Sequence, residues 1–125
     1  MKHNPRVTSR PATIEDIKSF YNIETLPYSI KALVFFLDGE LSGIGGVRFQ
    51  HGHYVVFSDI LENVKVPRAT ILRCAHMIMD MAKQTHKELY AVKHESLVSA
   101  KRLLQSLGFN YLKPSEDGDV YLWHR

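Results

Sequence analysis

The amino-acid sequence predicts an α+β fold in which a mixed, mainly antiparallel sheet is flanked by helices. Strand and helix patterns follow one another along all 125 residues without a repeat or a linker, so we expect one domain spanning residues 1–125. A two-residue hairpin signal, Asp38-Gly39, joins two segments rich in β-branched and aromatic residues. A third such segment precedes a long amphipathic stretch over residues 67–86, whose apolar residues recur at helical spacing.

The N-terminal part of the chain carries the signals of a short strand followed by a helix. Residues 7–10 form the strand candidate, and the helix is expected to begin at Ile14. Thr13 is placed to cap this helix, with Asp16 completing a capping box in its carboxylate version. Four residues are spaced to face the core: Ile14, Ile17, Phe20 and Tyr21.

The central part of the chain predicts three consecutive strands joined by tight turns. They cover residues 30–37, 41–49 and 53–60, with Asp38 and Gly39 forming the first turn. The second strand contains three glycines, Gly43, Gly45 and Gly46. Glycines inside a strand often mark a bulge or a close approach of backbone, and we expect one of these features here.

The C-terminal half predicts two helices and three further strands. Pro67 fits the first turn of the long helix, where its missing N–H costs nothing. The apolar face of this helix comprises Ile71, Leu72, Ala75, Ile78, Met79 and Ala82. Ser96 is expected to cap a last, leucine-rich helix, which Gly108 ends in the left-handed conformation. The strands are predicted at residues 88–93, 111–112 and 119–124.

Composition and charge exclude several classes of protein. Hydrophobic residues make up 45% of the chain and charged residues 23%, as in ordinary globular domains. The net charge of +3 comes without a run of lysines and arginines, which argues against nucleic acid as a partner and leaves open an anionic ligand or a solvated surface. One cysteine excludes an internal disulfide, and no apolar run is long enough to span a bilayer. We expect a cytoplasmic protein, or one packaged into a virion from the host cytoplasm.

The order of strand, loop and helix over residues 54–82 is one that many proteins use to hold a phosphate. A helix that starts directly after a strand presents free backbone N–H groups at its N-terminus. The loop over residues 61–69 nevertheless contains no glycine, although glycine is what usually lets the backbone approach a phosphate closely. The sequence therefore predicts a phosphate-binding topology with an unusual lining.

Three segments, RPATIEDI (10–17), VFFLDGELSGIGGV (34–47) and SAKRLLQSLGF (99–109), resemble parts of the GNAT superfamily of acetyl-coenzyme A-dependent N-acetyltransferases. They look like its opening strand and helix, its second and third strands, and its closing helix. Their order and spacing span nearly the whole chain, with a shortened first helical region. The resemblance implies a GNAT-like sheet, acetyl-coenzyme A as cosubstrate and an amine as acceptor. It also implies that the fourth strand splays from the fifth and leaves a V-shaped opening.

The family holds the coenzyme pyrophosphate on a loop patterned Arg/Gln-x-x-Gly-x-Gly/Ala. In the best register, Lys65 occupies the first position, Arg68 the first glycine and Thr70 the second small residue. A side chain at Arg68 either blocks the site or compensates as a phosphate ligand of its own. The residues that the resemblance implies at the cosubstrate are Ser58, Ile60, Leu61, Lys65, Arg68, Ala69 and Thr70.

The catalytic positions of the family are altered as well. Leu97 and Leu104 stand where the family often has asparagine and the tyrosine that acts as general acid, and neither can donate a proton. As the base that deprotonates the amine we favour Asp59 and Glu62, near the end of the fourth strand, over His53 at its start. For each carboxylate, the simpler interpretation is a group that complements the local dipole or faces solvent.

Two further patterns of reactive side chains are weak. His51 and His53 lie on one face of a strand, but no third ligand follows at a recognisable spacing, so no metal site is predicted. Cys74 and His76 are two residues apart on a helix and point in different directions, so we expect Cys74 to pack as a small hydrophobic residue.

Two functional classes remain open on the sequence alone. The first is an N-acetyltransferase with an altered phosphate loop, which the basic pair Lys65 and Arg68 favours. The second is a catalytically inactive GNAT-fold protein that serves as a binding or virion-associated structural component, as among short, glycine-poor bacteriophage proteins that this chain resembles. Leu97, Leu104 and the missing glycines favour this second class. We favour the enzyme; a homodimer or a protein partner is left open.

Overall fold

A computed structural model describes residues 5–61, 64–84, 86–93 and 98–125 of the chain. In these ranges the chain forms seven strands and three helices. In chain order they are β1 (Val7–Pro11), α1 (Ile14–Tyr21), β2 (Ser29–Leu37), β3 (Glu40–Gln50), β4 (His53–Ile60), α2 (Arg68–Lys83), β5 (Glu88–Lys93), α3 (Val98–Ser106), β6 (Asn110–Lys113) and β7 (Asp119–His124).

The seven strands form one sheet in the order β1-β2-β3-β4-β5-β7-β6. Neighbouring strands are antiparallel except β4 and β5, which run parallel. The predicted meander of β2, β3 and β4 is confirmed, and so is the prediction of a mixed, mainly antiparallel sheet with helices. No helix in the described ranges is long and apolar enough to cross a bilayer.

Local hydrogen bonds explain why α1 begins where it does. The Thr13 side chain accepts a hydrogen bond from the Asp16 N–H over 3.1 Å, and the Asp16 carboxylate accepts one from the Thr13 N–H over 2.8 Å. The predicted capping box is therefore confirmed. Arg10 donates to the same carboxylate over 2.5 Å, and this hydrogen bond, with the bond from Thr13, holds the pKa of Asp16 well below its ordinary value.

The turn between β2 and β3 adopts the geometry that its sequence requires. Asp38 and Gly39 have φ angles of 50° and 84°, so both central residues are left-handed, as a two-residue hairpin of the type I′ class demands. Asp38 also accepts a hydrogen bond from the Arg6 N–H over 2.9 Å, which ties the start of the described chain to this turn. Leu37 and Glu40 close the hairpin as register partners.

The glycines of β3 mark both a bulge and a close approach. Phe35 pairs with Gly43 while Phe36 pairs with Leu41, so Ser42 is the extra residue of a bulge. A Cβ atom at Gly45 would lie 2.2 Å from Cδ1 of Ile78, which shows how closely α2 packs on the sheet. At Gly46 a Cβ atom would lie 2.1 Å from the carbonyl oxygen of Lys31 on β2, so neighbouring backbone fills that space.

Two hydrophobic clusters form the core, one on each face of the sheet. The cluster beneath α1 consists of Ile17, Ala32, Val34 and Ile44. The cluster beneath α2 and α3 consists of Val47, Met79, Ala82, Leu89, Ala91, Leu107, Phe109 and Tyr121, with Leu103 and Leu104 packed against it. The sheet is therefore the middle layer of three, with helices covering both of its faces.

Two predicted core residues are exposed instead. Ile14 is 58% exposed because it is the first residue of α1, and the core contact of that helix begins at Ile17, one turn later. Leu72 is 38% exposed because the buried residues of α2 lie mainly in its last two turns, where it crosses the sheet. Burial along α2 is thus concentrated towards its C-terminal end.

The ends of the later helices agree with the sequence signals in part. Gly108 has a φ of 96°, and the N–H of Phe109 donates to the Leu104 carbonyl over 2.9 Å, which is the predicted left-handed end of α3. The helix α2 ends at Lys83, three residues before the predicted end, and the Arg125 side chain donates to the Lys83 carbonyl there. Ser96 and Leu97, predicted at the start of the last helix, lie outside the described residues.

Replacing Ile78 by alanine should strongly destabilise the fold. Its side chain is 3% exposed and fills the space above Gly45, so Ile78→Ala should lower the free energy of unfolding by about 2–5 kcal/mol in denaturant titrations. Leu72→Ala on the same helix is the matched control and should cost less than about 1 kcal/mol, since Leu72 is largely outside the core. Equal losses in the two variants would contradict the packing described above.

The Arg10–Asp16 contact predicts a pH dependence of stability. Because the folded state lowers the pKa of Asp16, the ionised carboxylate contributes stability above its ordinary pKa of 3.8, and this contribution is lost as the pH falls further. Asp16→Asn should therefore lower the melting temperature at pH 7, and the difference from wild type should shrink below pH 3.8. Glu15→Gln removes a neighbouring exposed carboxylate outside the capping box and should show no such pH-dependent difference.

Candidate functional site

The sheet opens between its two parallel strands. Val55 of β4 and Tyr90 of β5 are the one register pair between these strands in the described residues, so the strands are not paired from there to Ile60 and Lys93. This incomplete pairing agrees with the predicted V-shaped opening. Because α2 follows β4 through the segment 61–67, the start of this helix lies at the same end of the sheet.

Backbone groups of β4 face this opening. The Leu61 N–H donates to the Ser42 carbonyl of the neighbouring strand segment over 3.0 Å, so at Leu61 the backbone points towards β3. In an antiparallel pair this direction alternates from residue to residue. Ser58 and Ile60 therefore turn their N–H and C=O groups away from β3 and towards the opening, where an extended ligand could add as a strand.

A small apolar cavity of about 60 Å³ lies between α2 and the strands β2, β3 and β4. Its lining includes Ser58 and Ile60 of β4, Cys74 and Ile78 of α2, and Leu103 of α3. Burial raises the pKa of the Cys74 thiol, which is the opposite of what a reactive thiolate requires. Cys74 thus behaves as a packing residue, as the sequence predicted.

The start of α2 carries positive charge and few backbone donors. Pro67 stands at the N-cap without a side-chain cap, and its carbonyl accepts from the N–H groups of both Thr70 and Ile71 over 3.0 Å. The N–H of Thr70, predicted to contact phosphate, is therefore engaged inside the helix, and Arg68 and Ala69 supply the N–H groups that precede the first helical bonds. Arg68, Ala69 and Lys65 are exposed, and the first turn of α2 contains no acidic residue.

A larger cavity of about 280 Å³ lies on the opposite, α1-side face of β4. Its lining comprises Tyr21, Ile23, Pro27, Tyr28, Ile30, Arg48, Phe57 and Asp59. Asp59 lines this cavity and the smaller apolar one, and no other described residue does so. The residue borders both cavities, and its carboxylate lies on the α1 side, where Tyr21 contacts it.

Tyr21 holds the Asp59 side chain in place. The Tyr21 hydroxyl donates a hydrogen bond to Oδ2 of Asp59, across 38 positions of sequence. Burial, and then the hydrogen bond to the Asp59 carboxylate, raises the pKa of Tyr21 far above its ordinary value. The tyrosine therefore stays protonated and acts as a donor, while Oδ1 of Asp59 remains available to a ligand.

Arg48 supplies positive charge to the larger cavity. Its guanidinium carbon lies 5.6 Å from the centre of the Tyr28 ring and 5.8 Å from that of Phe57, so the side chain packs between two aromatic groups. Its Nε atom is buried, and no described residue accepts a hydrogen bond from it. The positive charge of Arg48 also opposes the rise in the pKa of Tyr21.

The structure separates the sequence-predicted candidates. Asp59 lies at the boundary of the cavities, whereas His53 lies at the other end of β4, where its ring is 4.5 Å from that of Tyr90. The second predicted base, Glu62, lies outside the described residues. Leu104 packs against the core cluster and does not line either cavity. No group of three or more potential metal ligands occurs among the described residues.

Sequence reasoning missed Tyr21 and Arg48 as site residues. Tyr21 was assigned only to the core because its spacing matches the apolar stripe of α1. The sequence did contain a signal for Arg48. Ile44, Gly46 and Arg48 are spaced two residues apart along β3, so all three lie on the face that α1 covers. A charged residue at an inward-facing strand position is costly unless a partner or a ligand meets it.

Comparison with known proteins identifies the fold. No protein-family model matches the chain, and no curated protein matches it in sequence. Solved structures do match over its full length. An acetyltransferase from Agrobacterium tumefaciens strain C58 is 15% identical with a TM-score of 0.68, over 100% of this chain and 96% of that one.

Two further matches carry more specific names. The aminoglycoside acetyltransferase AAC(6')-Ib in complex with coenzyme A and kanamycin is 14% identical with a TM-score of 0.71, over 96% of this chain and 95% of that one. The ribosomal-protein-S18-alanine N-acetyltransferase from Escherichia coli is 18% identical with a TM-score of 0.64, over 94% and 91%. The predicted GNAT fold is confirmed; at these identities the likeness concerns the fold, and the resemblance to bacteriophage proteins stays a prediction.

The hydrogen bond between Tyr21 and Asp59 predicts that Tyr21 does not ionise in the ordinary pH range of a tyrosine. Above the ordinary tyrosine pKa of 10.0, Tyr21 should stay neutral because burial and Asp59 oppose its ionisation. In an alkaline absorbance titration, Tyr21→Phe should therefore leave the tyrosinate signal of the folded protein unchanged. The assignment fails if Tyr21→Phe loses tyrosinate absorbance relative to the wild-type protein.

Proposed function

We propose that this protein is an acetyl-coenzyme A-dependent N-acetyltransferase. The observation that carries the proposal is the position of Asp59 near the end of β4, where it lines the larger cavity and also borders the small apolar cavity. A group-transfer enzyme needs a base at the place where two substrates meet, and we assign that role to Asp59.

The residues around the opening fit an extended thioester with a phosphorylated end. The backbone groups of Ser58 and Ile60 would pair with the amides of the pantetheine arm, and Leu61 continues the same edge of the sheet. The start of α2 would hold the pyrophosphate through the N–H groups of Arg68 and Ala69 and through the side chains of Lys65 and Arg68. Acetyl-coenzyme A, when bound, supplies the acetyl group as a thioester.

The proposed reaction uses Asp59 as the base. Oδ1 of Asp59 accepts a hydrogen bond from the acceptor's ammonium group and takes one of its protons, while Tyr21 keeps Oδ2 engaged and fixes the carboxylate's orientation. The amine nitrogen then bonds to the acetyl carbon as the carbon–sulfur bond breaks. Two protons leave the nitrogen in all: one reaches solvent through Asp59, and the other ends on the thiol sulfur.

Such a reaction does not require an acid on the last helix. Placing amine and thioester together in the correct orientation supplies a large part of the rate by itself, on the order of 7–11 kcal/mol in the best cases. Leu104, which stands at the family's tyrosine position, can then serve the core, where it packs against the cluster beneath α3. The second proton of the nitrogen can reach the departing sulfur through solvent, which has access to the exposed end of β4.

A second candidate function is a non-catalytic binding or virion-associated protein with the same fold. It is favoured by the start of α2, where Arg68 replaces a glycine and the Thr70 N–H is engaged by the Pro67 carbonyl. If this candidate is correct, the opening holds no coenzyme, and the two basic side chains merely complement the surface. Binding of the coenzyme separates the two functions directly.

Calorimetric titration with acetyl-coenzyme A tests the proposal. Wild-type protein should bind it, and Arg68→Glu should weaken binding by at least about tenfold, because a carboxylate would then repel the pyrophosphate. Arg68→Gly restores the family's residue and should keep or improve the affinity, since backbone can then approach the phosphate more closely.

Lys87→Glu is the matched control for charge. It produces the same change in net charge at an exposed position just before β5, beyond the far end of α2, and should leave the affinity within about twofold of wild type. Absence of binding by both wild type and Arg68→Gly would support the non-catalytic candidate.

A further inference from the structure

The larger cavity shows what kind of amine the site would accept. Its volume of about 280 Å³ lies just below the range of about 300–1,000 Å³ that holds drug-sized ligands, so its occupant is a small molecule. Ile23, Pro27 and Ile30 line one part of it, and Tyr28 and Phe57 add aromatic surface. This lining suits an apolar side chain.

Two opposite charges stand in this apolar surrounding. Asp59 carries a carboxylate with one oxygen already engaged by Tyr21, and Arg48 carries a guanidinium that forms no ion pair with any carboxylate of the described residues. Within the cavity the two therefore offer one anionic and one cationic contact to a ligand. An arrangement of this kind recognises a molecule that carries both an ammonium and a carboxylate group.

Of the two charged groups, the buried guanidinium of Arg48 gives the stronger evidence for a bound ligand. A buried guanidinium N–H without an acceptor costs free energy, and the faces of Tyr28 and Phe57 compensate for the charge without accepting an N–H bond at Nε. A carboxylate is the group that a guanidinium binds best, through two parallel hydrogen bonds. A carboxylate bound in the cavity would pair with the charge of this guanidinium, with which no carboxylate of the described residues forms an ion pair.

We propose that the acceptor is a free α-amino acid with an apolar side chain, whose ammonium group binds Asp59 and whose carboxylate binds Arg48. The proposal rests on the proposed function, because it assigns the amine substrate of the same reaction. Acetylation of the amine that binds Asp59 gives an N-acetylated amino acid as the product. Arg48 is then the residue that determines specificity.

Three related ligands test the proposal in calorimetric titrations, each carried out with and without saturating coenzyme A, which cannot donate an acetyl group. Leucine carries both charged groups, leucinamide lacks the carboxylate, and 4-methylpentanoate lacks the ammonium group. Leucine should bind at least about tenfold more tightly than either analogue, because each analogue loses one charge-assisted contact. This comparison uses the wild-type protein and does not depend on how any variant folds.

A pair of variants assigns the effect to Arg48. Arg48→Met keeps an apolar stem between Tyr28 and Phe57 and should abolish the preference for leucine over leucinamide. Lys31→Met removes one positive charge from the neighbouring strand β2 at an exposed position on the other face, and should keep the preference. Thermal melting of both variants provides the check on folding.

The results separate this proposal from the proposed function. If leucinamide binds as tightly as leucine, the site does not recognise a carboxylate group. The acceptor is then of another class, such as the N-terminus of a peptide. If none of the three ligands binds while acetyl-coenzyme A does, the acceptor class is wrong and the acetyltransferase proposal stands. If leucine binds as expected and acetyl-coenzyme A does not, the cavity is an amino-acid site and the acetyltransferase proposal fails.

Discussion

The parting of β4 from β5 is the constraint on which the rest of this structure depends. A parallel pair needs a long crossover between its strands, and here α2 provides it, running back across the sheet between the end of β4 and the start of β5. The two strands pair at Val55 and Tyr90 and then separate, so β4 keeps one edge without a partner strand. Such an edge can pair with a further extended segment, which is how an extended ligand could bind there. The start of α2 lies at this end of the sheet because the loop before it is short.

The second organising feature is the connection of the two faces through one side chain. Asp59 belongs to β4, but Tyr21, the last residue of α1, holds its position. The helix α1 therefore contributes to the candidate site, because its final tyrosine reaches the sheet. The remaining walls of the larger cavity come from the segment between α1 and β2, which includes Pro27 and Tyr28, and from the strands β2, β3 and β4. A change in the length of α1 would consequently alter both the cavity and the support of Asp59.

The sequence predicted the features that local chemistry determines. Thr13 with Asp16, Asp38 with Gly39, and Gly108 each act within a few residues, and each forms the cap or turn expected of it. The bounds of β4 and β5 follow from compact runs of strand-forming residues between turn signals. Asp59 could be nominated because it ends a strand near the expected opening.

Features that depend on distant parts of the chain could not be predicted in this way. Tyr21 contacts Asp59 across 38 positions, and an apolar stripe gives no indication that its hydroxyl has a polar partner. Ile14 and Leu72 matched helical spacing but were exposed, because periodicity identifies a face and not how far the sheet extends beneath it. The engagement of the Thr70 N–H by Pro67 likewise depends on how the first turn of α2 closes.

The two adjacent glycines of β3, Gly45 and Gly46, differ in whether a larger residue could replace them during evolution. The space beside Gly45 is occupied mainly by the end of the Ile78 side chain, and the Phe57 carbonyl oxygen would lie 3.1 Å from a Cβ atom there. A small side chain at 45 therefore requires a smaller residue at 78 and a slight shift of the β4 backbone. The space beside Gly46 is occupied by the backbone of Lys31 and Ala32, which no substitution can remove. Position 46 must therefore remain glycine as long as β2 and β3 stay paired. Position 45 can change if the residue of α2 above it becomes smaller.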